Sequence, residues 1–286
     1  MIMIVGAGGQ LARCIIDYCT QHMISFVALT RQQLDLLHSN QIYQALQQYQ
    51  PYIVINAAAY TDVDQSEVEQ DLAWRGNVQI VENLAKACQQ QRCWLVHFST
   101  DYVFSGLQLT PYTEQDVPNP INYYGYTKWM GEQVALQHHD WVIIFRLSWL
   151  FSRYGKNFFL TMYRLLQQQS LVRVVHDQIG APSYAPQVVQ SLMPHLLQLQ
   201  PEQAGIYHCS ASGATSWYDF ARVIQSYLPT SPSIIQSITS DAYPSLAQRP
   251  SYSILSTEKL QHTWQIFMPH WQEGVAQCYH ALNGIF

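Results

Sequence analysis

Ionised side chains are scarce in this chain. Asp, Glu, Lys and Arg make up 12% of its 286 residues, and lysine occurs only as Lys86, Lys128, Lys156 and Lys259. With a formal net charge of -5 there is no basic surface to gather phosphate backbones, so nucleic acid is not expected as a partner. The six cysteines (Cys14, Cys19, Cys88, Cys93, Cys209, Cys278) include no C-x-x-C pair and no His-rich ligand spacing. They read as buried apolar side chains in a reducing compartment, and no metal site is expected. No apolar run approaches the roughly 18 residues of a membrane helix. The opening Met-Ile-Met-Ile-Val has no basic flank and is cut short by Gly6, unlike a signal segment. A soluble cytoplasmic protein with no membrane partner is the expectation. Internal repeats and long disordered linkers are also missing.

What the chain does have is core material. Hydrophobic residues are 48% of the total, enough for two linked units or one large α/β domain with an appended lobe. The first apolar run, residues 1 to 5, meets Gly6-Ala-Gly8-Gly9-Gln10-Leu11-Ala12 and then a helical pattern through Ile15, Ile16 and Cys19. A strand, a glycine turn and a helix N-terminus make a phosphate cradle, because free backbone N–H groups and the helix dipole attract anions. The spacing is G-x-x-G-x-x-A through Gly6, Gly9 and Ala12, since Leu11 occupies the last position of strict G-x-G-x-x-G.

A second strand, Ile24 to Leu29, ends on Thr30-Arg31 where an acid would favour NAD; the arginine leans the site toward NADPH, with NADH as the alternative. Asp35-Leu36 closes the next turn and borders the expected adenine site. Ile53 to Asn56 reads as a buried strand running into Ala57, Ala58 and Ala59, small residues that let a flat ligand approach the backbone. An amphipathic helix spans Asn77 to Gln89, with Val78, Val81, Leu84, Ala85 and Cys88 on its apolar face. Strands alternating with helices predict a parallel sheet, with ligands at the carboxyl ends of its strands.

The chemistry is expected between residues 93 and 132. An apolar strand there delivers Thr100 at its carboxyl end, and a following helix carries Tyr124 and Lys128. Positions i and i+4 share a helix face, so the phenol and the ammonium can project into one site. A nearby ammonium favours phenolate, which predicts a lowered Tyr124 pKa and a usable proton donor and acceptor.

One more strand follows at Trp141 to Leu147, after which regular alternation is lost. Gly155 to Phe159 leads into a helix, Gln178 to Ser183 is a turn, Gly205 to Cys209 is a short strand, and Ser216 opens a helix over Trp217 to Tyr227. The expected architecture is α/β: a Rossmann-like doubly wound parallel sheet over residues 1–148, with a smaller α/β substrate-binding lobe over 149–286 that returns some segments to the first domain.

The ordered set of motifs resembles the extended short-chain dehydrogenase/reductase superfamily and, within it, the dTDP-4-dehydrorhamnose reductase family. The resemblance runs nearly end to end: Gly-Gly-Gln-Leu at 8–11, Asn-Ala-Ala-Ala-Tyr-Thr at 56–61, Ser-Thr-Asp-Tyr-Val-Phe at 99–104, and Tyr-Gly-Tyr-Thr-Lys-Trp-Met-Gly-Glu at 124–132. Arg-Leu-Ser-Trp at 146–149, Asp-Gln-Ile-Gly-Ala-Pro at 177–182 and Arg-Pro-Ser-Tyr-Ser at 249–253 continue it.

That resemblance implies reduction of the 4-keto group of dTDP-4-dehydro-β-L-rhamnose, or of a related dTDP-keto sugar, by NAD(P)H. It makes Thr100, Tyr124 and Lys128 the catalytic triad. Cofactor contacts are implied for Gly6, Gly9, Gln10, Leu11, Thr30, Arg31, Asp35, Leu36, Ala58, Ala59, Tyr60 and Phe98 as well as Tyr124 and Lys128. Thr100, Asp101, Tyr102, Trp149, Asn157 and Arg249 are implied to meet the substrate. Some members dimerise through a magnesium ion held partly by an acid in the first helix; Cys14 stands there, so the implied homodimer is expected without metal. A dehydratase of the same fold would carry an Asp-Glu pair after the threonine, whereas Asp101 is followed by Tyr102. A non-catalytic regulatory subunit, known on this scaffold, is disfavoured by the intact triad.

Overall fold

The computed structural model describes residues 1–228 and 232–284. Its first half runs β1 (Ile2–Val5), α1 (Gln10–Gln21), β2 (Phe26–Leu29), α2 (Ser39–Tyr49), β3 (Ile53–Asn56), α3 (Val63–Ser66), α4 (Gln70–Trp74), α5 (Ile80–Gln91), β4 (Trp94–Thr100), α6 (Tyr123–His138) and β5 (Val142–Leu147). Then follow β6 (Leu150–Phe151), α7 (Phe158–Gln168), β7 (Leu171–Val175), β8 (Ile179–Gly180), β9 (Ser183–Tyr184), α8 (Ala185–Leu196), β10 (Gly205–His208), β11 (Thr215–Ser216), α9 (Trp217–Ser226), β12 (Ile234–Ile238), α10 (Glu258–Trp264) and α11 (Trp271–Asn283).

Six strands form one parallel sheet in the order β10-β5-β4-β3-β1-β2. Every residue of β1, β3 and β5 is buried, as strands covered on both faces must be, which is why they read as unbroken apolar runs. One face packs on α1, α8 and α10 through Ile15, Val188, Leu192 and Leu260; the other packs on α2 and α5 through Ile42, Leu46, Val81 and Leu84. The chain winds from β1 outward to β2 and then back to β3 on the other side. The crevice at the carboxyl ends of β1 and β3 is therefore the topological switch point, where ligands of such sheets sit.

The helix expected from Asn77 begins earlier and is not uniform. α4 and α5 are joined by a π turn over Arg75–Gln79. The cause is local: the Asn77 amide is pinned by the Tyr60 backbone (2.9 and 3.0 Å) and by the Thr127 hydroxyl at 3.0 Å. Gly131 of α6 presses on the same turn, and a Cβ there would stand 2.3 Å from the Asn77 carbonyl oxygen. A π turn inserts the extra residue that such a contact requires.

The second half is built around Phe151, Phe159, Phe220 and Trp271, with β7 and β12 paired alongside. Residues 178–183, expected as a plain turn, instead contribute two short strands: β8 pairs with β11 and β9 with β6. Gly180 permits this, since the Trp149 indole lies 2.2 Å from where its Cβ would be. β10 leaves this half to pair with β5, and α8 docks on α1.

Candidate active site

The turn from β1 to α1 opens into a cavity of about 550 Å³. Its floor is Gly8, Gly9, Gln10 and Leu11, and no side chain caps α1 at Gly9, so the helix N-terminus faces the cavity bare. Gly6 holds a φ of +78°, and a Cβ there would lie 2.5 Å from the Ala58 nitrogen, so the β1 and β3 turns touch through this glycine. Beyond it a second cavity of about 290 Å³ is lined by Gly6, Arg31, Asp35, Leu36, Ala58, Ala59 and Tyr60. Thr30 borders neither cavity; its N–H and hydroxyl both bond the Gln33 side chain at 2.9 Å. Arg75, in the π turn, lines the second cavity alongside the expected residues. Nothing in the local sequence pattern marks it, because tertiary folding of α4 brings it there. An uncapped helix start, a glycine crossing and two arginines at the far end fit a dinucleotide with an additional phosphate.

At the other end of the large cavity lie Phe98, Thr100, Tyr124 and Lys128. Two anchors set the start of α6: the Asn122 carbonyl caps the Gly125 N–H at 2.7 Å, and Glu67 accepts the Tyr123 N–H at 2.8 Å. Gly125 sits so close to β4's exit that a Cβ would fall 2.1 Å from the Tyr102 carbonyl oxygen. Tyr124 is thereby brought into the same cavity wall as Thr100. The Thr100 oxygen also accepts the Tyr102 N–H at 3.2 Å and donates to Asp101 at 3.1 Å.

The electrostatics differ from the sequence expectation. Burial pushes the Tyr124 phenol up to about 12, with the Asp101 charge adding to it and the Thr100 hydroxyl opposing it. Lys128 does not lower it. Its Nζ is turned away to donate to the Phe98 carbonyl at 2.6 Å and stands 3.5 Å from His97 Nε2, while burial pushes it down to about 8. Tyr124 is accordingly a neutral phenol at physiological pH, a proton donor in waiting.

The residues implied to meet substrate divide into two groups. Trp149 lines the cavity with a φ of +45° and stacks on Trp217, ring centroids 3.4 Å apart. Asp101 is 2% exposed and its carboxylate is engaged by Thr100, Ser148 and Ser253; burial still pushes it up to about 6. It supports Thr100 from behind. Asn157 lines the cavity while capping α7 through the Leu160 N–H (3.0 Å), and its amide bonds Gln10 at 3.2 Å. Tyr102 is buried at the edge of the cavity. Arg249 pairs with Asp64 at 3.0 Å and lines a third cavity, of about 810 Å³, between α7, β7 and the 240–249 segment. Trp217 borders both this cavity and the first. It was legible only as the first residue of a helix.

Comparison with known proteins agrees with this geometry. A dTDP-4-dehydrorhamnose reductase of Aggregatibacter actinomycetemcomitans is 36% identical over 284 residues, covering 96% of each chain. A protein of Streptomyces niveus named dTDP-4-keto-6-deoxy-D-glucose reductase is 32% identical over 283 residues, 98% of this chain and 97% of that one. Among solved structures, the dTDP-4-dehydrorhamnose reductase of Bacillus anthracis in complex with NADP superposes with a TM-score of 0.93 at 35% identity, covering 98% of both chains. The family model described as the RmlD substrate binding domain matches residues 1–283, and the chain belongs to that family.

Proposed function

We propose that this protein is an NADPH-dependent oxidoreductase that reduces the 4-keto group of dTDP-4-dehydro-β-L-rhamnose to give dTDP-L-rhamnose, the last step of that sugar nucleotide's synthesis for cell-surface polysaccharide. The observation that carries the reading is that Thr100, Tyr124 and Lys128 line the same cavity as the bare start of α1.

Bound NADPH supplies the hydride. The chain does the rest. The α1 N-terminus takes the pyrophosphate, Asp35, Leu36 and Tyr60 border the adenine, and Arg31 with Arg75 meets the additional phosphate. Thr100 and Tyr124 donate to the ketone oxygen, and their bonds strengthen as it gains negative charge. Tyr124 then gives its proton to that oxygen, a transfer toward which a neutral phenol is already set. Trp149 and Tyr102 flank the sugar. The 810 Å³ cavity, lined by Arg173, Trp217 and Arg249, has the size and polarity for the thymidine diphosphate. In this reading residues 1–148 hold the cofactor and 149–286 mainly the substrate, with Gly205–His208 returning to the sheet. We further infer a cytoplasmic location, in keeping with six free buried cysteines, and a homodimer as the assembly to test.

The Streptomyces niveus relative favours a second reading, in which another dTDP-4-keto-6-deoxy sugar is the substrate. The deciding assay follows NADPH oxidation with enzymatically generated dTDP-4-dehydro-β-L-rhamnose and identifies the product by NMR. A rhamno-configured product establishes the first reading. Oxidation only with other keto sugars moves the assignment to the second, and NADPH binding without oxidation of any of them removes both.

A further inference from the structure

Lys128 is held from below by a hydrogen-bonded chain whose polarity can be worked out atom by atom. It begins in the β3 turn that borders the cofactor cavity, where the Ala58 N–H donates to Asn56 Oδ1 at 3.1 Å. With its oxygen so fixed, the Asn56 amide presents Nδ2 to His97, and Nδ2 can only donate; it lies 3.1 Å from His97 Nδ1. His97 Nδ1 must then be the accepting, unprotonated nitrogen. The ring is fully buried and neutral, since burial and the neighbouring Lys128 hold its pKa well below the ordinary histidine value. Its single proton therefore sits on Nε2, and Nε2 faces Lys128 Nζ at 3.5 Å. Lys128 meets an N–H there, not a lone pair.

We propose that His97, locked in one tautomer by Asn56, is a positioning residue that turns an N–H toward Lys128 and so favours the free amine of this lysine before cofactor binds. An ammonium has three donors and no acceptor, so an N–H dipole pointing at it is repulsive; an amine has a lone pair to receive it. The Phe98 carbonyl takes one Nζ hydrogen in either state. The other charges around Lys128 do not undo this. Glu132, one turn along α6, pulls toward the ammonium but is outweighed by burial, its carboxylate being held in a two-point bond to Arg146 of β5 at 2.9 and 2.6 Å; Arg146 in turn contacts the neutral His208 of β10. Tyr124, on the same helix, is protonated, and the Ser99 hydroxyl of β4 is uncharged. The chain couples two places in one site: a ligand that shifts the Ala57–Ala59 turn shifts Asn56, the ring and the lysine together.

What Lys128 is used for rests on the reductase reading, but the tautomer does not. The test uses cofactor-free protein. Nitrogen-15 NMR of the histidines is expected to show His97 as a neutral ring protonated on Nε2. Because the chain has only four lysines, their Cε signals can be followed individually against pH. Replacing Asn56→Asp offers Nδ1 an acceptor and should draw a proton onto it, raising the Lys128 midpoint by about one unit or more. Asn56→Ala, which adds no charge, releases the lock and should move the midpoint in the same direction. A wild-type ring protonated on Nδ1, or a Lys128 midpoint unchanged in both variants, overturns the proposal. In turnover, Asn56→Ala should displace the Lys128 limb of the kcat profile along the pH axis, a displacement that simple loss of packing would not give. The expected tautomer and shift in a chain that reduces no keto sugar would sink the reductase reading alone; full activity without them would sink this proposal alone.

Discussion

The indoles of Trp149 and Trp217 lie parallel to within 3° with centroids 3.4 Å apart, one from the loop after β5 and the other from the start of α9. Trp149 lines the cofactor cavity and Trp217 borders both this and the lobe cavity, so the stack stands between the two. Removing the outer ring should free one face of the Trp149 indole and leave it held by Gly180 alone on the other. We expect Trp217→Ala to raise the KM for the sugar nucleotide about tenfold, the equivalent of ~1.4 kcal/mol, with NADPH affinity unaltered. Steady-state kinetics with each substrate varied in turn checks this, and an unchanged sugar-nucleotide KM would show that the stack serves the lobe core only.

Tyr124→Phe keeps the ring that meets Tyr102 edge-on at 6.0 Å and removes only the phenol hydroxyl. Turnover should fall by roughly 10²–10⁴-fold, the range for losing a positioned proton donor. NADPH binding, read by fluorescence titration, should persist. Near-normal turnover in this variant would take the proton-donor role away from Tyr124.

Arg31 and Arg75 both line the small cavity, together with Asp35. Either arginine replaced by alanine should weaken NADPH by about 1–2 kcal/mol and leave NADH nearly unaffected, because only NADPH carries the phosphate they would pair with. Isothermal titration with both dinucleotides decides it. Equal losses for the two would relocate the arginines to a structural role.

Lys128 offers a stability test whose sign is fixed. Its pKa falls from an ordinary 10.5 to about 8 on folding, so between those values the unfolded chain binds more protons than the native one. Stability contributed by this group therefore rises with pH across that window, and the cost of burying the ammonium, about 3 kcal/mol, is fully present below it. Lys128→Met sheds that cost and loses one hydrogen bond to Phe98, worth about 1 kcal/mol. The variant should be inactive yet more stable at neutral pH, on the order of 2 kcal/mol, with its advantage shrinking as pH rises from 8 toward 10.5. Denaturant unfolding at several pH values gives the answer; a pH-independent difference would mean that the lysine has the same pKa in the native and unfolded chains.

Much of the site could be read from the chain because its parts stand at strand ends and on one helix turn. Gly6, Thr100 and the Ala57–Ala59 run each follow an apolar strand, and Tyr124 and Lys128 are fixed by helical spacing. The parts that escaped come from tertiary placement. Arg75 reaches the small cavity only because α4 bends through a π turn, and Trp217 reaches the site only because α9 folds back on the β5 exit. The direction of the Lys128 side chain was equally hidden: spacing says which face it shares with Tyr124, but the Phe98 carbonyl decides where its nitrogen rests. Residues 178–183 read as a turn because strands of two residues leave no periodicity to detect.

β10 joins β5 only after the chain has built β6 through α8, some sixty residues farther on. On a ribosome, β5, apolar but for Arg146, therefore emerges as an edge with no neighbour on one side until residue 208 has been made. At about 5–20 residues per second that edge stays open for seconds, long enough to template pairing with another nascent chain. The same interleaving that ties the two halves together delays closure of the sheet until the second half has been made.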